Sequence, residues 1–357
     1  MPDSKELVDV LGLAPLERHA LLSARLESRE GRRQVFTSYL ALREKIAITF
    51  LPLVKSAVPY LNDHSRGHLE RVLSHIESIL VTNFPRRDSA VGDIPSDRVI
   101  TWADTAILLN ALVWHDIGNV YGRDGHAAQA HWFLSAIASH LYDPHLRDYI
   151  VQVAEAHSGP KAITEKIPTG QDAISYLGEA VHLRFLAAVL RFADEIDEDY
   201  RRAEPHDWDD LHLIPAGSQR FWYFAKCNSS IRVVASATER NWSFHVAVDS
   251  HVPSSEFDRS FEAEHGQVRA LTEYFRRLLK FERERVYCNQ YISPAYYHPG
   301  IGGFKVNLRT HEMNQPPHTA RTLSFELSDE RPIQALIADS NLGLLQPYMT
   351  EALQLGY

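Results

Sequence analysis

Apolar residues return every three to four positions through most of the first 200 residues, the period of helices that bury one face. "LAPLERHALLSARLE" and "QVFTSYLALREKIAITFLPLV" follow it with little turn chemistry. In "HSRGHLERVLSHIESILVTNF" the stripe is Leu69, Val72, Ile76 and Ile79. The Pro-, Gly- and Asp-rich stretch "PRRDSAVGDIPSD" interrupts the pattern. Asp97 at its end is a candidate N-cap for a helix over "RVITWADTAILLNALVWHD". Helices are also predicted over 126–140, 145–157 and 179–196, with "SGPKAITEKIPTG" as a surface loop.

The pattern changes after "RRAEPHDWDDLHLIPAGS". "RFWYFAKC", "SIRVVASAT" and "WSFHVAVD" are short aromatic and β-branched runs between turn residues, which predicts an antiparallel meander. A long helix follows from about 255 to 285, then strands over "GFKVNLRT" and "TLSFELSD", then two short helices. The fold class is therefore mainly α. A helical bundle occupies residues 1–215, and a smaller α+β domain with an antiparallel sheet occupies 216–357.

Composition narrows the function classes. A formal net charge of −9 argues against an extended nucleic-acid surface, but not against a phosphorylated small molecule in a locally positive pocket. Two cysteines, Cys227 and Cys288, make neither a disulfide framework nor a Cys-rich zinc site, and fit a reducing cytoplasm. The N-terminus lacks the features of a signal peptide, and no run of 18 apolar residues suggests a membrane span. The unusual residue is histidine, 19 in all and concentrated before residue 216.

Five segments each place a histidine or aspartate where an apolar helix face meets a turn: "GHLERV" (His68), "WHDIGN" (His115, Asp116), "RDGHAAQA" (His126), "AEAHSG" (His157) and "LRFADEID" (Asp194). A lone histidine on a helix is usually a satisfied surface or core residue, so the weight lies in their order and context. Imidazoles and carboxylates without thiolates make a nitrogen/oxygen site suited to Mn, Fe, Ni, Mg or Zn. Adjacent His115 and Asp116 at a helix end can serve one metal with the imidazole while the carboxylate bridges to a second.

This half of the chain resembles the HD-domain superfamily of metal-dependent phosphohydrolases over about residues 60–200. The resemblance rests on a histidine in an "HxxRV"-like helix, the His-Asp doublet before Ile-Gly, and an aspartate in an "LLRxADxxD"-like helix. It implies that His68, His115, Asp116 and Asp194 hold a first metal, and that His126 and His157, with Asp116 bridging, hold a second. A metal-bound hydroxide would then cleave a phosphoester or phosphoanhydride of a nucleotide or similar compound. Single-stranded or cyclic nucleic-acid cleavage and non-catalytic nucleotide sensing are the alternatives. A narrower likeness, to bacterial HD proteins of conflict-type gene neighbourhoods, implies a defence role beside a separate ATPase partner.

Other residues near these segments carry open alternatives. His131 competes with His126 as the ligand, and His126 is preferred because it directly follows the loop. His64 is a candidate proton donor, a substrate contact or a solvated helix residue. Arg123 and Lys161 are the local cations for substrate phosphate, although Arg123 has Asp124 as a salt-bridge partner beside it. Asp197 is a candidate to orient a ligand. The accessory domain is expected to serve substrate selection, oligomerisation or partner binding. Its "EYFRRLLKFERERVY" reads as an ion-paired solvent face and its "RFWYF" as sheet core.

Overall fold

A computed structural model describes residues 13–26, 30–58, 60–83, 99–123, 125–138, 140, 142–159, 162–171, 173–203, 212–237, 242–263, 266–310 and 321–356. The chain forms two compact units. One comprises residues 1–59, 64–194 and 290–298, the other residues 60–63, 195–289 and 299–357. The division expected near residue 215 thus falls inside the second unit.

The first unit is helical. Its elements are α1 (Pro15–Leu26), α2 (Glu30–Lys45), α3 (Leu51–Ala57), α4 (Arg66–Ile79), α5 (Trp102–Trp114), α6 (His126–Ala138), α7 (Pro144–Glu155), α8 (Ala162–Lys166) and α9 (Leu183–Glu195). A π-helical turn, Ile46–Phe50, joins α2 to α3, and a small hairpin, β1 (Ala173–Tyr176) and β2 (Glu179–His182), precedes α9. Helix α5 is mostly apolar and every one of its residues is buried, Asp104, Thr105 and Asn110 included, so it forms the centre against which α1, α2, α4 and α7 pack. It opens with a capping box in which Thr101 and Asp104 bond each other's backbone N–H groups. Asp97, the expected cap, lies outside the described residues. Ser65 caps α4, and Asp143 followed by Pro144 caps α7.

Two expectations for this unit need correction. Residues 179–182 are strand, because Leu177 and Gly178 both take positive φ and close a tight two-residue hairpin before the helix begins. The stretch read as a surface loop contains α8, whose Ala162 and Ile163 are buried. The late segment 290–298 is tied to the unit by Tyr296, whose hydroxyl bonds the Asp104 carboxylate and lies 3.1 Å from His182 Nδ1.

The second unit contains α10 (Ala216–Cys227), β3 (Asn228–Ala237), β4 (Trp242–His251), the hairpin β5 (Ser260–Ala263) and β6 (Gly266–Arg269), α11 (Ala270–Ile292, which ends in the first unit), β7 (Gly303–Thr310), β8 (Arg321–Ser328), α12 (Ile333–Ile337) and α13 (Gln346–Leu355). The main sheet has the order β3-β4-β7-β8. Its β4–β7 pair is parallel, with Val248 opposite Val306, so the sheet is mixed and not a plain meander. Phe281 and Phe275 of α11 meet Phe304 and Phe325 of the sheet at 5.9 and 6.0 Å between ring centres.

"RFWYFAKC", read as a strand, is the body of α10. Four consecutive aromatics fit either element, and burial of Trp222, Tyr223, Phe224 and Cys227 is achieved here on a helix. The long helix starts at Ala270 instead of 255, because Gly266 at φ +105° lets the preceding residues turn back as β5–β6. Several of its charges are paired in the interior and do not form a solvent face, although Arg283 is exposed. Arg277 and Arg285 are 3% and 2% exposed, and they meet Glu198 at 2.5 Å and Glu282 at 2.6 Å. Cys227 and Cys288 are both buried. Among the described residues no helix is long and apolar enough to cross a membrane.

Glu77 of α4 accepts the Leu16 N–H at 2.9 Å, and burial pushes its carboxyl up to about 7. A carboxyl raised in the folded state binds more protons folded than unfolded between its ordinary 4.5 and about 7. Its contribution to stability therefore falls as pH rises through that window. We expect Glu77→Gln, which keeps the acceptor without the charge, to stabilise the protein by about 1–2 kcal/mol at pH 8 and by close to nothing near pH 4.5. Thermal unfolding at the two pH values checks this.

Candidate metal centre

Five helices end or begin where the candidate ligands stand. His68 lies in the first turn of α4 and is buried. His115 caps the C-terminus of α5, and Asp116 begins the 3-10 turn Ile117–Tyr121. His126 is the first residue of α6, His157 follows the end of α7, and Asp194 is the penultimate residue of α9. All six belong to the first unit.

They converge as two sets sharing one carboxylate. In the first set the ligand atoms of His68, His115, Asp116 and Asp194 lie within 4.8 Å of one another, and in the second so do those of Asp116, His126 and His157. Asp116 Oδ2 is 3.2 Å from His115 Nε2 and 3.4 Å from His68 Nε2. Asp116 Oδ1 is 3.5 Å from His126 Nε2 and 3.7 Å from His157 Nε2. Asp194 Oδ1 completes the first set at 3.3 Å from His68 Nε2.

The histidines are oriented by their own helices. His115, His126 and His157 each donate Nδ1–H to the carbonyl three residues earlier, of Leu112, Arg123 and Ala154. That commits Nδ1 to the backbone and turns Nε2 inward, so that loss of the Nε2 proton presents its lone pair to a metal, the usual arrangement of a metal-binding imidazole. The His126 and His157 Nε2 atoms are 3.2 Å apart. Two such lone pairs repel unless a cation or a proton lies between them. Ligand bonds of about 2.1 Å at tetrahedral or octahedral angles place neighbouring donors roughly 3.0–3.4 Å apart, close to the spacings here. The donor set and its geometry fit divalent metal ions.

The charges are mutually dependent. Burial opposes ionisation of Asp116, yet the imidazoles of His115 and His64 outweigh it and hold the carboxyl well below the usual range. For Asp194, too, burial is outweighed, here by hydrogen bonds from His115 and His68. Burial disfavours charge on His115, but Asp116 and Asp194 hold its pKa well above the ordinary value. Burial, reinforced by His115, pushes His157 down to about 4, so at neutral pH it is the uncharged form that binds metals.

The remaining candidates fall out as follows. His131 is exposed beside Trp132 and belongs to neither set. His64 stands 3.4 Å from Asp116 Oδ2, with its ring 5.2 Å from that of His68. Arg123 is exposed, and its carbonyl is the one that orients His126. Lys161 lies outside the described residues. Asp197 is buried in the second unit, where its backbone carbonyl accepts a bond from Arg202.

The HD-CE family model matches residues 58–282, well over half of the chain. The chain belongs to the HD-CE family. No curated protein and no solved structure matches it. The HD-CE match takes in every candidate ligand and continues through α10 and the β3–β4 hairpin into α11.

Three supporting residues were not singled out in the sequence. Asn119, inside the "HDIGN" motif, donates to Asp116 Oδ1 at 3.0 Å. Arg191, one turn before Asp194, is buried and donates to the Gly159 carbonyl at 2.6 Å, holding the loop after His157. Gly118 permits the close approach of the turn to α6, since a Cβ there would lie 1.9 Å from the His126 carbonyl oxygen and 2.8 Å from Gln129 Cβ. The Ile-Gly pair after the doublet was the available signal for Gly118; Asn119 and Arg191 resemble ordinary polar residues until the fold is seen.

We expect Gly118→Ala to displace the start of α6, removing His126 from the second set and costing about 1–3 kcal/mol through overpacking. Metal stoichiometry and calorimetric unfolding of the variant read both effects. Parent-like values in both would show that His126 is positioned without this close contact.

Proposed function

We propose that this HD-CE protein is a metal-dependent phosphohydrolase that cleaves a phosphoester or phosphoanhydride of a nucleotide or related small phosphorylated compound. The observation that carries the reading is the division of the Asp116 carboxylate, with Oδ2 toward His68 and His115 and Oδ1 toward His126 and His157. Two divalent ions, Mn, Fe, Ni, Mg or Zn, would polarise a phosphoryl oxygen and make water nucleophilic at neutral pH.

The protein's own groups supply the rest. Arg123, exposed on the loop that orients His126, would fork onto phosphoryl oxygens and offset their developing charge. Lys161, four residues beyond His157, would add a second cation. His64 would carry a proton at Nε2 beside Asp116 and deliver it to the leaving oxygen. The α+β part would select substrate or pair with another copy or a separately encoded ATPase, in a bacterial defence setting.

Metal analysis of protein purified without chelators tests this directly, followed by a screen for released phosphate or nucleoside. Two metals per chain are expected in the parent, none in Asp116→Ala and one in His157→Ala. Arg123→Ala should keep both metals while losing about 100-fold in kcat/KM, the scale for one transition-state donor. A parent that takes up no metal even after incubation with Mn, or that holds metal and nucleotides without turnover, would sink the proposal.

A further inference from the structure

Asn119 occupies an unusual position for a buried amide. It is 1% exposed, in the turn that leads away from the His-Asp doublet. Its backbone N–H donates to the Asp116 carbonyl at 3.0 Å, and its side-chain Nδ2 donates to Asp116 Oδ1, also at 3.0 Å. The opposite amide orientation would set a carbonyl oxygen against a carboxylate oxygen, so the donor assignment follows from the chemistry. That leaves Asn119 Oδ1 buried and without a hydrogen-bond partner among the described residues.

Such an acceptor is costly to bury without a donor. The groups nearest in role are the members of the second ligand set, which has three protein donors where the first has four. A three-donor set leaves a divalent ion with positions for water. Water held there is a strong hydrogen-bond donor, which the orphaned amide oxygen lacks. The amide nitrogen meanwhile restrains Asp116 Oδ1, the oxygen of the shared carboxylate that faces the second set.

We propose that Asn119 is a positioning residue for the second metal site. Its Nδ2–H holds Asp116 Oδ1, the carboxylate oxygen that faces His126 and His157, toward the second ligand set, and its Oδ1 accepts a hydrogen bond from water at that site. The inference rests on the two-metal reading above. It further assigns Asn119 a role confined to one half of the centre, with no part in holding the first ion.

Titration of the chelator-stripped full chain with Mn²⁺, followed by calorimetry and electron paramagnetic resonance, separates the two ideas. The parent should bind two Mn²⁺ per chain and show an exchange-coupled pair. Asn119→Ala and Asn119→Asp should bind the first Mn²⁺ with parent affinity and the second about 10–100-fold more weakly, with the coupled signal replaced by that of an isolated ion. The Asp variant keeps the size and an acceptor but loses the donor, so it addresses the restraint on Asp116 even if the Ala variant folds poorly. Two tightly bound, coupled ions in Asn119→Asp would overturn the inference, as would an equal loss at both sites. Fewer than two Mn²⁺ in the parent would overturn the two-metal reading itself.

Discussion

The Asp116 carboxylate is shared between two groups of imidazoles, and the architecture of the first unit follows from what that sharing demands. A buried carboxylate is tolerated only with compensating charge and hydrogen bonds. Here they come from four segments far apart in sequence: α4, the end of α5, the start of α6 and the end of α7. Each must arrive within a few tenths of an ångström for both oxygens to be served. The doublet's adjacency is what makes this work, since breaking the helix at Asp116 lets His115 stay with one group while the carboxylate reaches across to the other.

Support for this arrangement is built from backbone more than from side chains. Three histidines are aimed by carbonyls of their own last or preceding turn. A glycine permits the backbone of the Ile117–Tyr121 turn to touch that of α6. Helix α9 carries both Asp194 and Arg191, so the element that supplies a ligand to one set also restrains the loop after His157 in the other. Only a displacement of Asp116 itself would be felt at both halves of the centre, because Asp116 alone belongs to both sets.

Much of this was legible in the chain. Residues at helix ends, His115, His126, His157 and Asp194, carry a local signature: an apolar stripe that stops at a polar, chemically capable side chain. The preference for His126 over His131 followed from the same logic, and only His126 joins a ligand set. What escaped was set by long-range contact or by ambiguous local pattern. "RFWYF" satisfies strand and helix alike, and its neighbours decide. "SFEAEHGQVR" has the charge density of a helix surface but turns at Gly266. The basic residues of α11 look solvated in sequence, yet Arg277 and Arg285 find their acids in the interior, a pairing that spacing alone does not reveal.

The helix ends have an electrostatic meaning beyond placing ligands. Helices α5, α7 and α9 all terminate at the ligand sets, so three C-termini, each equivalent to roughly half a negative charge, converge on the same small volume. Helices α4 and α6 have the opposite polarity, since His68 lies in the first turn of α4 and α6 begins at His126 beside the loop of Arg123. The backbone itself is thus polarised to draw cations inward at three helix C-termini and to present anion-attracting edges at two N-termini. This asymmetry would persist if every ligand side chain were truncated.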